Sequence, residues 1–387
     1  MELITLQWLV LEMTDSPARV ALVGACRMAP MFFFGILAGT IADRFPKQHV
    51  ILTGQLVGLT VVSIMLFLLL TNQIVLWHVY IGVLVTGTAK VIDFAARRAY
   101  FAELFGGSKL TNAVALDSVA SMGIGSTVGP LLGGGLIAVW GFTGAYSVIF
   151  VSTLTATLLV LAAHGLQPQT LKEKSHAVIP TSASALNEIY RNRSLWAVLA
   201  VTIVMNFFCM PYQQMVPVIA RDTLGVGSAL YGMLASSAGL GILTGTILIA
   251  GHTIIRRGTA FSIGAMLMLG AVFLFALSPF YVLSILLLLL GGLTHAGFVV
   301  MQPVLVLHSV PSALRGRAMG ALALCIGVGP LGVLVIGLLA ESHGATLAVT
   351  IMSGTGFILM NILRVVFRTL RDQPGPIQGL HPKIPAP

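Results

Sequence analysis

The sequence predicts an all-α membrane protein in which twelve spans form two six-helix bundles and the first helix is incomplete. Hydrophobic residues make up 57% of the 387 residues, charged residues make up 9%, and the mean hydropathy is +0.98. Soluble domains carry about 25% charged residues, so this composition excludes an ordinary soluble protein. The chain also repeats itself: 35–41 matches 241–247 at six of seven positions, and 128–131 recurs at 328–331. Two matches at nearly one offset indicate a duplicated membrane protein, which is typical of secondary transporters.

The apolar runs give the spans in chain order. A crossing of the hydrocarbon takes about 20 residues, and eleven runs approach or exceed that length: 19–42, 49–71, 74–96, 110–138, 143–163, 195–217, 229–255, 259–277, 280–307, 318–340 and 345–367. The span before the turn at 14–17 has only about 13 residues, roughly 20 Å of helix. We expect either a true start that lies upstream or a copy that lacks half a helix. Neither a basic leader nor a small-residue cleavage site supports a signal peptide.

A polar, Pro- and Lys-containing stretch separates six spans from six. The sequence therefore predicts an N-terminal bundle at 1–163, a cytoplasmic linker at 164–194 and a C-terminal bundle at 195–367. The cytoplasmic tail, 368–387, is rich in proline and is predicted to be disordered.

The basic residues predict the orientation of the spans in the membrane. Seventeen Lys and Arg residues fall on the side of the 43–48 elbow, whereas only Arg19 and Arg221 fall in the opposite loops. This positive-inside pattern predicts a multi-pass protein of the bacterial inner (plasma) membrane with a cytoplasmic linker and C-terminus. The net charge of +9 therefore reflects the lipid bilayer as partner, and nucleic acid is not expected.

The sequence offers no metal or cofactor chemistry. Its three cysteines are far apart inside apolar runs, and the motifs Cys-x-x-Cys, His-Glu-x-x-His and Gly-Lys-[Ser/Thr] do not occur. We therefore expect no enzymatic activity, no metal site and no bound cofactor, and a gradient or a partner must supply the energy.

The polar elbow after the second span carries a motif. It resembles the loop 2–3 signature of the major facilitator superfamily, G-x-x-x-D-R-x-[GP]-[RK]-[RK], with Gln48 departing at the last position. The matching residues are Gly39, Asp43, Arg44, Pro46 and Lys47. The resemblance implies the twelve-helix major facilitator fold, and it implies that this element gates the cavity instead of touching substrate.

The fifth span carries a glycine motif that matches the core of the superfamily's antiporter signature. Its residues are Gly125, Gly129, Pro130, Gly133 and Gly134. Leu116 stands where the family has a further glycine, which weakens the inference of antiport. The glycine spacing predicts a smooth face for close helix packing, and the proline permits a bend.

The segments 93–99, 110–116, 310–317 and 7–12 look like the enterobactin-exporter-like and macrolide-efflux-like branch of that superfamily. The resemblance implies a monomer that exports a small amphipathic molecule, drug-like or siderophore-like, by proton antiport. Its partners are then the substrate, protons and the lipid bilayer, and the proton gradient is the energy source. Three alternatives remain open: a transport-incompetent scaffold or sensor, an importer, and a lipid flippase.

Charges within lipid are costly and mark candidate functional sites. Lys90, Asp93 and Asp117 are expected at similar depth near the cytoplasmic ends of spans 4 and 5. They are candidates for proton coupling, together with Glu12 and His295. The alternative interpretation of the trio is a structural ion-pair network that holds the two spans together.

Polar and adaptable side chains on spans 2, 7 and 10 are candidates for the substrate cavity. They are Arg27, Asn206, Phe207, Met210, Tyr212, Gln213 and Gln302. Arg27 is expected to pair with Glu12 or to face an anionic substrate. Met and Phe residues in membrane helices also serve as ordinary packing.

Overall fold

The computed structural model describes residues 1–104, 124–163, 192–250, 256–311, 314–367 and 369–372. Within these ranges the side chains of 34–44, 95, 98–99, 101–104 and 250 are not described. Residues 105–123, which include Asp117 and the start of the predicted fifth span, lie outside the described residues, as do almost all of the predicted linker and most of the predicted tail.

Helices follow one another through the first half of the chain. Their bounds are α1 Glu2–Thr14, α2 Pro17–Arg44, α3 Lys47–Leu70, α4 Leu76–Leu104 and α5 Gly125–Ala163. The last of these is broken at Gly141, whose φ of 67° is a conformation that glycine adopts without steric cost. We therefore number its two parts as spans 5 and 6, after spans 1 to 4.

The second half contains interrupted helices. Span 7 consists of α6 Arg193–Val204, a π-helical turn Met205–Cys209, α7 Tyr212–Val218 and a second π-helical turn Ile219–Thr223. Spans 8, 9 and 10 are α8 Ser228–Ala250, α9 Arg257–Leu277 and α10 Tyr281–Ser309. Span 11 consists of α11 Arg315–Ile326 and α12 Gly329–His343, span 12 is α13 Ala345–Val366, and α14 Thr369–Asp372 follows.

The interruptions coincide with prolines. Pro211 and Pro217 have no N–H to donate within span 7, and i→i+5 bonds form nearby, from Met210 N to the Met205 carbonyl and from Leu224 N to the Ile219 carbonyl, both 2.9 Å. Span 11, expected as one run at 318–340, is interrupted between Ile326 and Gly329, just before Pro330.

The predicted fold class is confirmed. Eight helical segments within the described ranges are long and apolar enough to cross a membrane, and the described residues form no strand. Span 1 is a helix of 13 residues, as its sequence indicated. Asp15 follows it in the left-handed conformation, with φ of 50°.

The two six-helix halves meet where glycines replace side chains. A Cβ atom at Gly134 of span 5 would lie 2.7 Å from the Gly232 Cα of span 8, and one at Gly337 of span 11 would lie 2.6 Å from the Ala21 Cβ of span 2. Small residues let helix backbones approach closely, and membrane helices commonly pack in this way. Lipid tails are as apolar as the side chains, so no hydrophobic effect drives the helices together. Spans 5 and 8 and spans 2 and 11 therefore join the halves.

Candidate functional site

A polar cavity of about 460 Å³ lies inside the first half of the chain. Along span 4 it extends from Thr86 to Arg97, that is, from the middle of the helix toward the end on the side of the 43–48 elbow, which we call the elbow end. Spans 1, 3, 4, 5 and 6 form its wall. Charged residues in the wall are Glu2, Lys90, Asp93 and Arg97, and uncharged polar ones are Gln55, Thr86, Ser152 and Thr153. Gly54, Gly58, Gly125 and Gly129 leave room for it. A cavity with four charged side chains inside an apolar bundle is suited to bind a polar group or an ion.

Span 4 supplies three of these charges from one face. Lys90, Asp93 and Arg97 are spaced at i, i+3 and i+7, and the Arg97 guanidinium donates to the Asp93 carboxylate at 2.8 Å. Lys90 is exposed to the cavity and forms no salt bridge to any described residue. The expected proximity of Lys90 and Asp93 in one site is therefore present, while Asp117 lies outside the described residues.

Arg27 pairs with a residue that sequence reasoning missed. Its guanidinium lies 3.6 Å from the Glu2 carboxylate, so the expected pairing with Glu12 is wrong. Glu12 is exposed and accepts a hydrogen bond from the Trp8 indole at 2.5 Å, one turn away on the same helix. Its position near the end of span 1 separates it from the polar cavity.

The candidates on spans 7 and 10 lie outside the described wall of this cavity. Asn206 donates to the Thr202 carbonyl at 2.9 Å, and Gln302 donates to the Thr202 hydroxyl at 2.8 Å, which ties span 10 to span 7. Phe207 stacks edge-on against Phe208. The remaining three are half-buried Met210, buried Tyr212 and exposed Gln213.

His295 is buried in an aromatic stack. Its ring lies 5.7 Å from that of Phe298, which stacks in turn on Phe261 at 5.2 Å. Its Nδ1 atom has no hydrogen-bond partner among the described residues. These contacts are those of a packing residue, and a role in proton coupling stays a prediction.

A buried amide network crosses between the halves. Gln7 of span 1 donates to Gln214 of span 7, and the Tyr231 hydroxyl of span 8 donates to Gln7 at 3.2 Å. Trp8 stacks on Tyr231 with centroids 5.2 Å apart. A Cβ atom at Gly24 would lie 2.2 Å from the Gln214 side chain, so a larger residue there would displace the Gln214 amide. Because buried polar groups need partners, this network favours one alignment of the four spans.

A second set of contacts joins the halves at the end opposite the elbow. Arg221 of span 7 donates to Asp15 at 2.7 Å and to the Leu11 carbonyl at 3.2 Å. The Glu341 carboxylate of span 11 accepts from the Ser16 hydroxyl at 2.7 Å and from the Ala18 N–H at 3.1 Å, at the start of span 2. We call Asp15, Ser16, Arg221 and Glu341 the Asp15 clamp, and the end of the molecule that carries it the Asp15 end.

The elbow motif lies at the end of span 2 and the start of span 3, and its side chains are described only in part. Gly39, Asp43 and Arg44 lie at the end of span 2, and their side chains lie outside the described residues. Pro46 is exposed and Lys47 begins span 3. The gating role of the elbow stays a prediction.

The glycine motif of span 5 packs on two neighbours. A Cβ atom at Gly129 would lie 3.0 Å from the Met1 nitrogen, and one at Gly133 would lie 3.4 Å from the Met1 carbonyl oxygen of span 1. The Pro130 carbonyl oxygen would lie 2.7 Å from a Cβ atom at Gly232 of span 8. The smooth packing face is present, whereas its link to antiport stays a prediction.

The comparisons with known proteins agree over nearly the whole chain. Residues 1–374 match the transmembrane secretion effector family. The staphyloferrin A transporter of Staphylococcus aureus is 20% identical over 95% of this chain and 92% of its own length. The multidrug efflux pump Tap of Mycolicibacterium fortuitum is 24% identical over 96% and 92%, and the enterobactin exporter EntS of Shigella flexneri is 26% identical over 80% and 73%.

Solved structures show the same fold at low identity. A bacterial homologue of the human lysosomal transporter Spinster, in an inward-facing and occupied conformation, aligns with a TM-score of 0.74 at 13% identity over 97% of this chain and 96% of that one. A D-xylose–proton symporter aligns with a TM-score of 0.71 at 16% identity over 93% and 92%.

Proposed function

The chain belongs to the transmembrane secretion effector family of the major facilitator superfamily, and from this premise we propose that it exports a small amphipathic molecule in exchange for protons. It is a multi-pass membrane transporter and not an enzyme. Drug-like and siderophore-like molecules are the proposed substrate class, because its relatives include a multidrug efflux pump, an enterobactin exporter and a staphyloferrin A transporter.

The observation that carries this proposal is the charged wall of the polar cavity. A charge inside a membrane helix is costly, and such residues mark functional sites. Lys90 and the Asp93–Arg97 pair are two such features on one helix face, and both line a cavity of about 460 Å³. That volume falls in the range of small-molecule sites, about 300–1,000 Å³.

Asp93 is the group that we propose exchanges the proton. In its ionised form the Asp93 carboxylate accepts a hydrogen bond from Arg97 at 2.8 Å. It also accepts hydrogen bonds from a substrate head group that enters the cavity. A proton on Asp93 removes its negative charge and turns one oxygen into a donor, which weakens the binding of substrate donors, so proton and substrate compete. Competition at one carboxylate is what antiport requires.

We infer the side from which substrate enters the polar cavity by comparing the Asp15 end of the molecule with the elbow end. The Asp15 clamp holds the halves together at one end, whereas the polar cavity lies toward the elbow. We propose that the elbow faces the cytoplasm, because seventeen basic residues lie on its side and two on the other. The protein is then poised to take up substrate from inside the cell.

Transport into proteoliposomes tests the proposal, with enterobactin and staphyloferrin A as probes. A gradient of one pH unit is worth about 1.4 kcal/mol per proton, about tenfold in accumulation at one-for-one exchange. We expect Asp93→Asn to abolish this accumulation while downhill flux persists at a reduced rate, because the amide carries no exchangeable proton and keeps only a neutral acceptor. Glu12→Gln should keep both accumulation and flux. Uncoupled flux in the parent protein, or full accumulation by Asp93→Asn, would overturn the proposal.

A further inference from the structure

An apolar groove lies beside the polar cavity, on the other side of spans 3 and 4. Its volume is about 470 Å³, close to that of the cavity. On span 3 it follows one helix face from His49 to Val57, and on span 4 it follows one face from Val85 to Ile92. Phe45, 57% exposed, stands at its elbow end.

The groove has the length and position of one bilayer leaflet. His49 and Val57 are eight positions apart, about 12 Å along the helix, and half of the hydrocarbon is about 15 Å thick. It starts two residues after Lys47, where span 3 begins. The imidazole of His49 is exposed at this end, and the wall beyond it is almost entirely apolar. These dimensions fit an extended hydrocarbon chain from the leaflet at the elbow end.

The groove and the polar cavity share a wall. Gly54 and Ala89 line both spaces, and no larger residue is common to them among the described residues. A Cβ atom at Gly54 would lie 3.6 Å from the Ala89 carbonyl oxygen and 3.6 Å from the Asp93 Cβ, which is ordinary contact. Spans 3 and 4 therefore meet at this point through two small residues, with no larger side chain of the described walls common to both spaces, and the Asp93 Cβ lies next to this contact.

We propose that this shared wall is a lateral port, through which an amphipathic substrate passes from the leaflet at the elbow end into the polar cavity. The occupant of the groove is the hydrocarbon part of that substrate. Its head group carries both donors and acceptors, because it meets the Asp93 carboxylate and the Lys90 ammonium on the far side. This inference rests on the proposed function, since it assigns the entry route of the same site.

The neighbouring glycine of span 3 supplies a matched control. Gly58 lies one turn farther along the helix and lines the polar cavity but not the groove, and a Cβ atom there would meet nothing within 4 Å. Gly54→Leu and Gly58→Leu add the same side chain and both take up room in the polar cavity, but only the first also fills the shared wall. Gly58→Leu therefore controls for the lost cavity volume.

Photo-crosslinking of the full chain in proteoliposomes tests the port. The probe is a palmitoyl ethanolamide with a diazirine in the middle of its chain, and labelled peptides are identified by mass spectrometry. In the parent protein we expect labels on groove residues such as Thr53 and on cavity residues such as Ser152 and Thr153 of span 6.

Gly54→Leu should reduce the cavity labels at least fivefold and keep the groove labels, whereas Gly58→Leu should keep at least half of the cavity labels. Absence of cavity labels in the parent, or equal cavity labelling in Gly54→Leu, would overturn the port. Labelling requires no proton gradient, so an uncoupled or transport-inactive parent that still labels the cavity would refute the proposed function and leave the port standing.

Discussion

Removal of the Asp15 clamp should open the Asp15 end. Glu341 accepts two hydrogen bonds at the start of span 2, in the manner of a helix cap. The loss of such a cap costs about 1 kcal/mol, and that change multiplies the open-to-closed ratio by about five. Arg221 bonds Asp15 and the Leu11 carbonyl, and its loss adds about 1 kcal/mol at an exposed site. Taken as additive, Glu341→Ala with Arg221→Ala gives about thirtyfold.

Double electron–electron resonance measures this shift. Spin labels at Arg19→Cys and His343→Cys, in a background without the native cysteines, report the separation of spans 2 and 11 at this end. If the open state is about 1% populated in the parent, thirtyfold raises it to roughly a quarter, which is visible as a second distance peak.

Glu12→Ala is the matched control for the clamp. It removes an exposed carboxylate at the same end whose hydrogen bond among the described residues is to Trp8 of its own helix, and it should leave the distances unchanged. A double variant at Glu341 and Arg221 with the parent's distance distribution would show that the clamp does not hold the halves together.

Three further predictions concern topology, the buried network and the elbow. Single cysteines at Gln48 and Ser175 should resist a membrane-impermeant thiol reagent in intact cells, and labelling of both would overturn the cytoplasmic assignment of the elbow and linker. Gln214→Ala should lower the stability of the detergent-purified protein by about 1–3 kcal/mol, because Gln7 then loses a buried partner, whereas exposed Gln213→Ala should change it by less than about 0.5 kcal/mol. Asp43→Asn should slow transport several-fold yet retain ligand-induced thermal stabilisation; loss of that stabilisation in a folded variant would refute a gating role.

The helices could be predicted from the sequence because lipid leaves the backbone no alternative. Each apolar run must satisfy its own N–H and C=O groups, so composition alone gives the spans. The contact between Asp93 and Arg97 could be predicted in the same way, since i and i+4 side chains meet on any helix.

The pairings between spans could not be predicted, because they depend on how each helix is rotated and tilted. Gln7 and Gln214 are 207 positions apart, and Ser16 and Glu341 are 325 apart. No local sequence pattern indicates that Arg27 pairs with Glu2 instead of Glu12. A usable signal was present, however: a glutamine inside an apolar span needs a partner, and Gln7 and Gln214 are such residues in spans 1 and 7.

The buried network and the Asp15 clamp should respond differently when the halves rock. Gln7 lies about 10 Å along span 1 from Thr14 and about 8 Å from Glu2, so the network sits between the closed end and the polar cavity.

In rigid-body alternating access, contacts near the pivot persist while contacts at the ends break. A pivot contact stabilises both states equally and shifts no equilibrium, whereas an end contact stabilises only one. Gln214→Ala should therefore lower stability without moving the distances between spans 2 and 11, whereas Glu341→Ala combined with Arg221→Ala should move those distances. The opposite pattern would place the pivot at the Asp15 end.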